Sequence, residues 1–235
     1  LAERIYKAFV RQRPGSLDRG PYVWDRVRNH RKLPVFGHLL ALSDQRPPVA
    51  YVRYALAPKP DGRHDIELQD YALTQPEGLD LIIDHLASQR SMAHNLRWQG
   101  GCDDPLLLAL DDHRGQVELR EHWMLRLVNV RAAIEQRGYA QGVTARFLLD
   151  VHDDLIAANH GRFDVRVSEG RATVRGSRGV RGAVALSVQS LASIYTGMSS
   201  PQQLAQRGLI AGPDKALANL AAAFAGPAPS MRDMF

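Results

Sequence analysis

Few residues in this sequence stand where chemistry could be done, and the strongest candidate is the chain's own end. The tail reads Pro227-Ala228-Pro229-Ser230-Met231-Arg232-Asp233-Met234-Phe235. Disordered segments are poor in apolar and aromatic residues. This tail closes on Met234 and Phe235, which predicts that it is tucked into the protein. Tucking it in takes along the α-carboxylate of Phe235, a group with an ordinary pKa of about 3.3–3.7. Buried without a partner, such a group is costly, so it needs a cation, hydrogen bonds or a role in proton transfer. The plainer alternative is that Phe235 fills an apolar gap and nothing more.

Other clusters carry less. His152-Asp153-Asp154 and Asp111-Asp112-His113 have metal-ligand residue types but no repeated His or Cys at coordinating spacing. They read as solvated turns, and no metal is expected. Ser, His and Asp occur without a Gly-x-Ser-x-Gly elbow to raise a nucleophile between strand and helix. The run Arg175-Gly176-Ser177-Arg178-Gly179-Val180-Arg181-Gly182 is basic and glycine-rich. It leads into a strand-like segment rather than a helix N-terminus, and it lacks the Arg/Gln-x-x-Gly-x-Gly/Ala spacing that grips the pyrophosphate of acetyl-CoA. Cys102 lies between Gly101 and Asp103, with no cation to activate it.

The elements that must position these groups follow from periodicity. Helices are predicted at 3–12, 21–29 and 76–90, and a short one at 104–110 capped by Asp104. Strands are predicted at 36–42, 49–56, 66–73 and 94–98. After these come a strand at 123–128, a helix opened by Asn129 and running to 137, and strands at 145–151, 163–167, 171–174 and 183–188. Helices at 189–195, 201–206 and 214–224 finish the chain, the last with Leu217, Leu220, Ala221 and Phe224 on one face. The pattern predicts an α+β protein of two domains, 1–116 and 117–235. Trp24, Trp98 and Trp123 sit in apolar-periodic settings, as core anchors do.

Composition narrows the partners. The net charge is +5, but the cations are nearly all Arg and are interleaved with acids, as in Arg120-Glu121 and Arg232-Asp233. No basic stripe forms, so nucleic acid is not an expected partner. Runs such as 106–110 are too short to span a bilayer, so no membrane is expected. With one cysteine the chain can form no internal disulfide, and a reducing, cytoplasmic setting is expected. The sequence opens on a helix-like segment without Met, which reads as a cut end.

Three stretches then resemble a known family. Ile5-Tyr6 is followed by Arg13-Pro14-Gly15-Ser16-Leu17-Asp18-Arg19 and by Trp24-Asp25. Trp123-Met124-Leu125-Arg126-Leu127-Val128-Asn129-Val130-Arg131-Ala132-Ala133-Ile134-Glu135-Gln136-Arg137-Gly138-Tyr139 is the most specific match. Ser193-Ile194-Tyr195-Thr196-Gly197 and the Phe-terminated end complete the set. In this order they are similar to the enhanced intracellular survival (Eis) family of GNAT N-acetyltransferases, and the resemblance covers nearly the whole chain. It implies a central GNAT-like domain, lacking its opening strand, followed by a sterol-carrier-protein-like domain.

The resemblance also implies the C-terminal two-thirds of an acetyl-CoA-dependent enzyme that acetylates primary amines of aminoglycoside or lysine type. Acetyl-CoA would be bound by an N-terminal GNAT domain absent here, leaving this chain inactive alone. By position the C-terminal carboxylate of Phe235 would be the general base, with Met234 and Phe235 against the substrate. A carboxylate within hydrogen-bond reach suits that task, because the amine must lose a proton before it attacks the thioester. Met234 stands where some members have an acidic residue. Members usually assemble as hexamers, so a homo-oligomer is implied. The alternative is a non-catalytic module binding a lipid or a partner through its sterol-carrier-like domain.

Overall fold

Apolar residues recurring at helical spacing open the chain as α1 (Ala2–Val10), which buries Ile5 and Tyr6. α2 (Pro21–Arg28) starts on a proline, whose fixed φ suits a first turn, and buries Trp24. The computed structural model describes residues 1–11, 13–29, 33–110, 115–120, 123–179 and 181–233. It divides into two units: Leu1–Leu119 together with the tail from Ala228 onward, and Arg120–Pro227.

In the first unit β1 (Val35–Leu40), β2 (Ala50–Pro58) and β3 (His64–Leu73) form an antiparallel meander. α3 (Glu77–Ala87) then crosses over, so that β4 (Ala93–Trp98) pairs parallel to β3. The sheet order is β1-β2-β3-β4. Neighbouring strand residues point to opposite faces, and the core splits accordingly. Tyr51 and Ala72 pack with Ile5, Tyr6 and Trp24. Val52, Tyr54, Ile66 and Leu68 pack with Ile82 and Leu86 of α3. A short helix, α4 (Pro105–Leu108), is capped by Asp104, whose carboxylate accepts from the Leu106 N–H at 3.0 Å.

The second unit has a five-stranded sheet in the order β7-β6-β5-β8-β9. Its strands are β5 (Ala145–His152), β6 (Gly161–Ser168), β7 (Arg171–Gly176), β8 (Ala183–Ser187) and the short β9 (Ile210–Ala211), which periodicity did not announce. α5 (Val130–Gln136) is capped by Asn129 as its sequence predicts, and α6 (Val188–Thr196) by Ser187. α7 (Pro201–Gln206) opens with a capping box from Ser200 and Gln203, and α8 (Asp214–Phe224) closes the unit. Leu149, Val165, Val184, Leu191 and Leu220 are wholly buried together in its core.

One expected element is absent: residues 123–128 form no strand. A strand needs a neighbour for its backbone ladder, and this segment joins neither sheet. Leu127 alone of the six is buried, and its carbonyl accepts from the Asn159 side chain at 3.0 Å. Met124 is 96% exposed.

Candidate functional site

The tail is docked, and charged residues dock it. Arg19 follows the Pro14-Gly15 turn and sits over the Tyr6 ring, 3.8 Å from its centroid. Its two terminal nitrogens donate to Asp70 of β3 at 2.6 and 3.0 Å, a bidentate pair. Its Nε donates to the tail carboxylate Asp233 at 3.0 Å, with Nη2 2.8 Å from the other oxygen. The Arg19 and Asp70 side chains are each 1% exposed, and that of Asp233 is 5% exposed. Tyr51 completes Asp70 by donating its hydroxyl at 2.5 Å. The Tyr6 hydroxyl donates to the Leu17 carbonyl at 2.9 Å and lies 3.4 Å from Asp233.

A second clamp grips Arg232. Its Nη2 donates to Asp104 at 2.8 Å and its Nη1 to the Tyr71 carbonyl at 3.1 Å, while the guanidinium lies 4.1 Å from the Tyr71 ring centroid. Tyr71 in turn donates its hydroxyl to Asp104 at 2.5 Å. Asp104 therefore caps α4 and holds the tail with one carboxylate.

Backbone fit adds register. The Ser230 N–H donates to the Pro14 carbonyl at 3.0 Å. Gly15 has φ +93, a conformation L side chains rarely adopt, and a Cβ there would lie 2.7 Å from the Ser230 oxygen. A cavity of about 20 Å³, room for one water, remains beside the tail among Arg13, Ser16, Arg19, Ser230 and Asp233.

The electrostatics make this a holder rather than a catalyst. Burial opposes the charge on Arg19, but hydrogen bonds and charge from Asp70 and Asp233 outweigh it and push its pKa up. Burial first, then Asp70, pushes the Tyr51 hydroxyl well above its usual value. Burial likewise raises Tyr6 and Tyr71. These phenols stay protonated at neutral pH and serve as donors. Two guanidiniums and three carboxylates satisfy one another through the hydrogen bonds and ion pairs given above.

The predicted site residues Met234 and Phe235 lie outside the described residues, as do Asp111, Asp112, His113 and Val180. Of the remaining candidates, His152 and Asp154 form an exposed pair at 2.5 Å. Asp153 is buried and structural. Burial would raise its pKa, but Asn159, the N–H groups of Leu155 and Ile156, and Arg126 hold the carboxyl well below its usual range. In the glycine-rich run the Gly179 N–H donates to Ser177 Oγ, and the segment links β7 to β8. Cys102 is exposed. Among the described residues no group of three or more His, Cys, Asp or Glu is placed to hold a metal ion, and no helix is long and apolar enough to cross a membrane.

Sequence reasoning missed the clamp. Arg232-Asp233 reads only as one more cation interleaved with an acid, yet both side chains are largely buried. The available signals were Asp70 inside an apolar strand and a charged pair flanked by Met231 and Met234.

Comparison with known proteins agrees with this architecture. Residues 15–127 match the acetyltransferase (GNAT) domain and residues 130–232 the sterol carrier protein domain. The N-acetyltransferase Eis of Mycobacterium tuberculosis is 29% identical over 248 residues, covering 97% of this chain and 55% of the relative. The chain thus spans about half the length of the curated relatives it matches. A GCN5-related N-acetyltransferase from Anabaena variabilis superposes with a TM-score of 0.91 at 30% identity, over 99% of this chain and 59% of that one. Eis1 from Mycobacterium abscessus shares the fold, with a TM-score of 0.75 at 23% identity over 100% of this chain and 60% of that one. The chain matches a GNAT acetyltransferase domain followed by a sterol carrier protein domain, and along nearly its whole length it is similar to N-acetyltransferases of the Eis type.

Proposed function

We propose that the chain is the C-terminal part of an acetyl-CoA-dependent N-acetyltransferase, with the α-carboxylate of Phe235 as its general base. The observation that carries this reading is the clamp. Ser230, Arg232 and Asp233 are each fixed to the first unit, and the carboxylate follows two residues further on in the sequence. Fixing a reactive group in this way favours proton transfer, because its approach is settled before substrate arrives. The base takes a proton from an ammonium substrate, the freed amine attacks the acyl carbon of the thioester, and the C–S bond breaks to release coenzyme A as its thiol. The substrate class is a primary amine, aminoglycoside-like or lysine-like, with Met234 and Phe235 lining its place.

On this reading acetyl-CoA is held outside this chain, and the two candidate segments for its pyrophosphate here both speak against it. A helix N-terminus is a common seat for a pyrophosphate, and negative charge there works against it. The β3-to-α3 turn offers such an end, but Glu77 and Asp80 occupy its first turn and Thr74 donates both its N–H and its hydroxyl to the Val49 carbonyl. The other candidate, the run from Arg175 to Gly182, opens no helix directly. In the whole enzyme a preceding GNAT domain holds the thioester, consistent with the share of the relatives' length matched here. On this reading the described chain alone is inactive, and the complete enzyme works in the cytoplasm as a homo-oligomer, which light scattering would test.

The test is acetyl-CoA-dependent thiol release by the full-length enzyme on aminoglycosides, polyamines and lysine peptides, with and without Phe235. Removing Phe235 should lower kcat by about 10²–10⁴, the usual worth of a general base. Turnover indifferent to the deletion removes the terminal carboxylate from the mechanism. No turnover on any amine would favour a non-catalytic module that binds a lipid or a partner.

A further inference from the structure

Away from the tail, three donor atoms from three elements converge at the open edge of the first sheet. His38 belongs to the edge strand β1, Tyr54 to β2 and His85 to α3. The Tyr54 hydroxyl oxygen lies 3.4 Å from His38 Nε2 and 3.3 Å from His85 Nε2. The two imidazole rings are 4.4 Å apart, centroid to centroid, and tilted by 46°.

These contacts are long for hydrogen bonds, which run to about 3.2 Å when a nitrogen takes part. They suit something else. A tetrahedral ion bound to nitrogen and oxygen at about 2.0–2.1 Å holds neighbouring donors about 3.3–3.4 Å apart. Both nitrogen-to-hydroxyl contacts have that spacing. We propose that His38, His85 and Tyr54 form a binding site for a late divalent transition-metal ion of the zinc, nickel or copper class. Two imidazoles and a phenol oxygen favour that class over magnesium or calcium, which take mostly carboxylate and carbonyl oxygens.

Other features of the site agree. His38 is exposed, so an ion enters from solvent and solvent fills the fourth position. Burial keeps Tyr54 protonated in the free protein. An ion either binds the neutral phenol or displaces its proton to water, as metals do with weakly acidic ligands. The ion would tie the edge strand β1 to α3, so binding should also raise the unfolding temperature.

The experiment is calorimetric titration of the whole chain with Zn²⁺ and with Cu²⁺, repeated for His38→Gln, His85→Gln, Tyr54→Phe and His160→Gln. His160 is the control, because it and His152 form another histidine pair, with rings 5.1 Å apart. The expected result is one site, weakened more than about tenfold by either ligand-histidine change, a loss that even the outer partners of a metal can cause. The control should bind as the parent does. Tyr54→Phe should retain weakened binding and lose any visible phenolate-to-copper absorption. Absence of binding by the parent chain overturns the proposal, as does a His38→Gln variant that binds as tightly as the parent. His38 is solvent-exposed, so its replacement leaves the fold intact, and circular dichroism checks this.

Discussion

Arg–Asp pairs occur in both units, and two of them lie in opposite settings. In the first unit Arg19, Asp70 and Asp233 are buried and fully paired. In the second, Arg146 of β5 reaches diagonally to Asp164 of β6 at 2.9 Å, with the arginine side chain 65% exposed. Water and salt screen the second pair and reduce its worth. Burial makes the first set costly to assemble and costlier to break. Equal chemistry therefore serves unequal ends: the exposed pair decorates a sheet, while the buried set fixes a segment 214 residues away in sequence.

The sharpest way to break this contrast is Arg19→Met. It leaves Asp70 and Asp233 buried without their cation, and losing one partner of such a set costs about 3–5 kcal/mol. Urea denaturation should show the first unit weakened by that amount. A loss comparable to that of a surface pair would mean that water reaches the cluster and that it is no clamp.

A smaller effect, on the tail itself, is expected from Gly15→Ala. The new Cβ meets the Ser230 carbonyl at 2.7 Å from a backbone that disfavours side chains. Strain of this kind costs about 1–3 kcal/mol. Limited proteolysis should then cut the chain after Pro227 while the two units remain folded. In the full-length enzyme kcat should fall with little change in unfolding midpoint. A tail as resistant as the parent's would show that the backbone fit contributes nothing.

The two regions also differ in how far the sequence foretold them. The meander of the first unit and the helices of both were legible from period, and the caps Asp104 and Asn129 from residue type and place. These are local effects, decided within a few residues. The clamp is not local. Nothing near Asp233 reveals that Arg19 will meet it, because only tertiary closure removes both from water. The segment 123–128 failed for a related reason: its apolar alternation suits a strand, but no strand lies beside it to accept its backbone. The site's last two residues, Met234 and Phe235, rest on resemblance, with the clamp as physical support.

Acid should expose a further difference. The folded state holds the Asp153 carboxyl below its ordinary range. A depressed carboxylate contributes stability above its unfolded pKa, about 3.9, and loses it as pH falls through the folded value. The second unit should therefore weaken below about pH 4, and Asp153→Asn should flatten that dependence while lowering stability at neutral pH. An unchanged acid transition in the variant would assign the loss to other carboxylates, with Asp164, which Arg146 holds down, the next to test.

The smallest effect belongs to the exposed pair, and it tests the comparison as strictly as the largest. Arg146→Ala removes both hydrogen bonds to Asp164. Asp164 keeps a second cation, Arg166, at 3.8 Å and remains open to water, so no charge is stranded. The unfolding midpoint should stay unmoved, and any slight change should vanish at high salt, because screening already removes what the pair supplies. The Arg19 variant should keep its full deficit in the same salt, since ions do not enter a buried cluster. A deficit at Arg146 that persisted in salt would show that pairing geometry, rather than burial, separates the two regions.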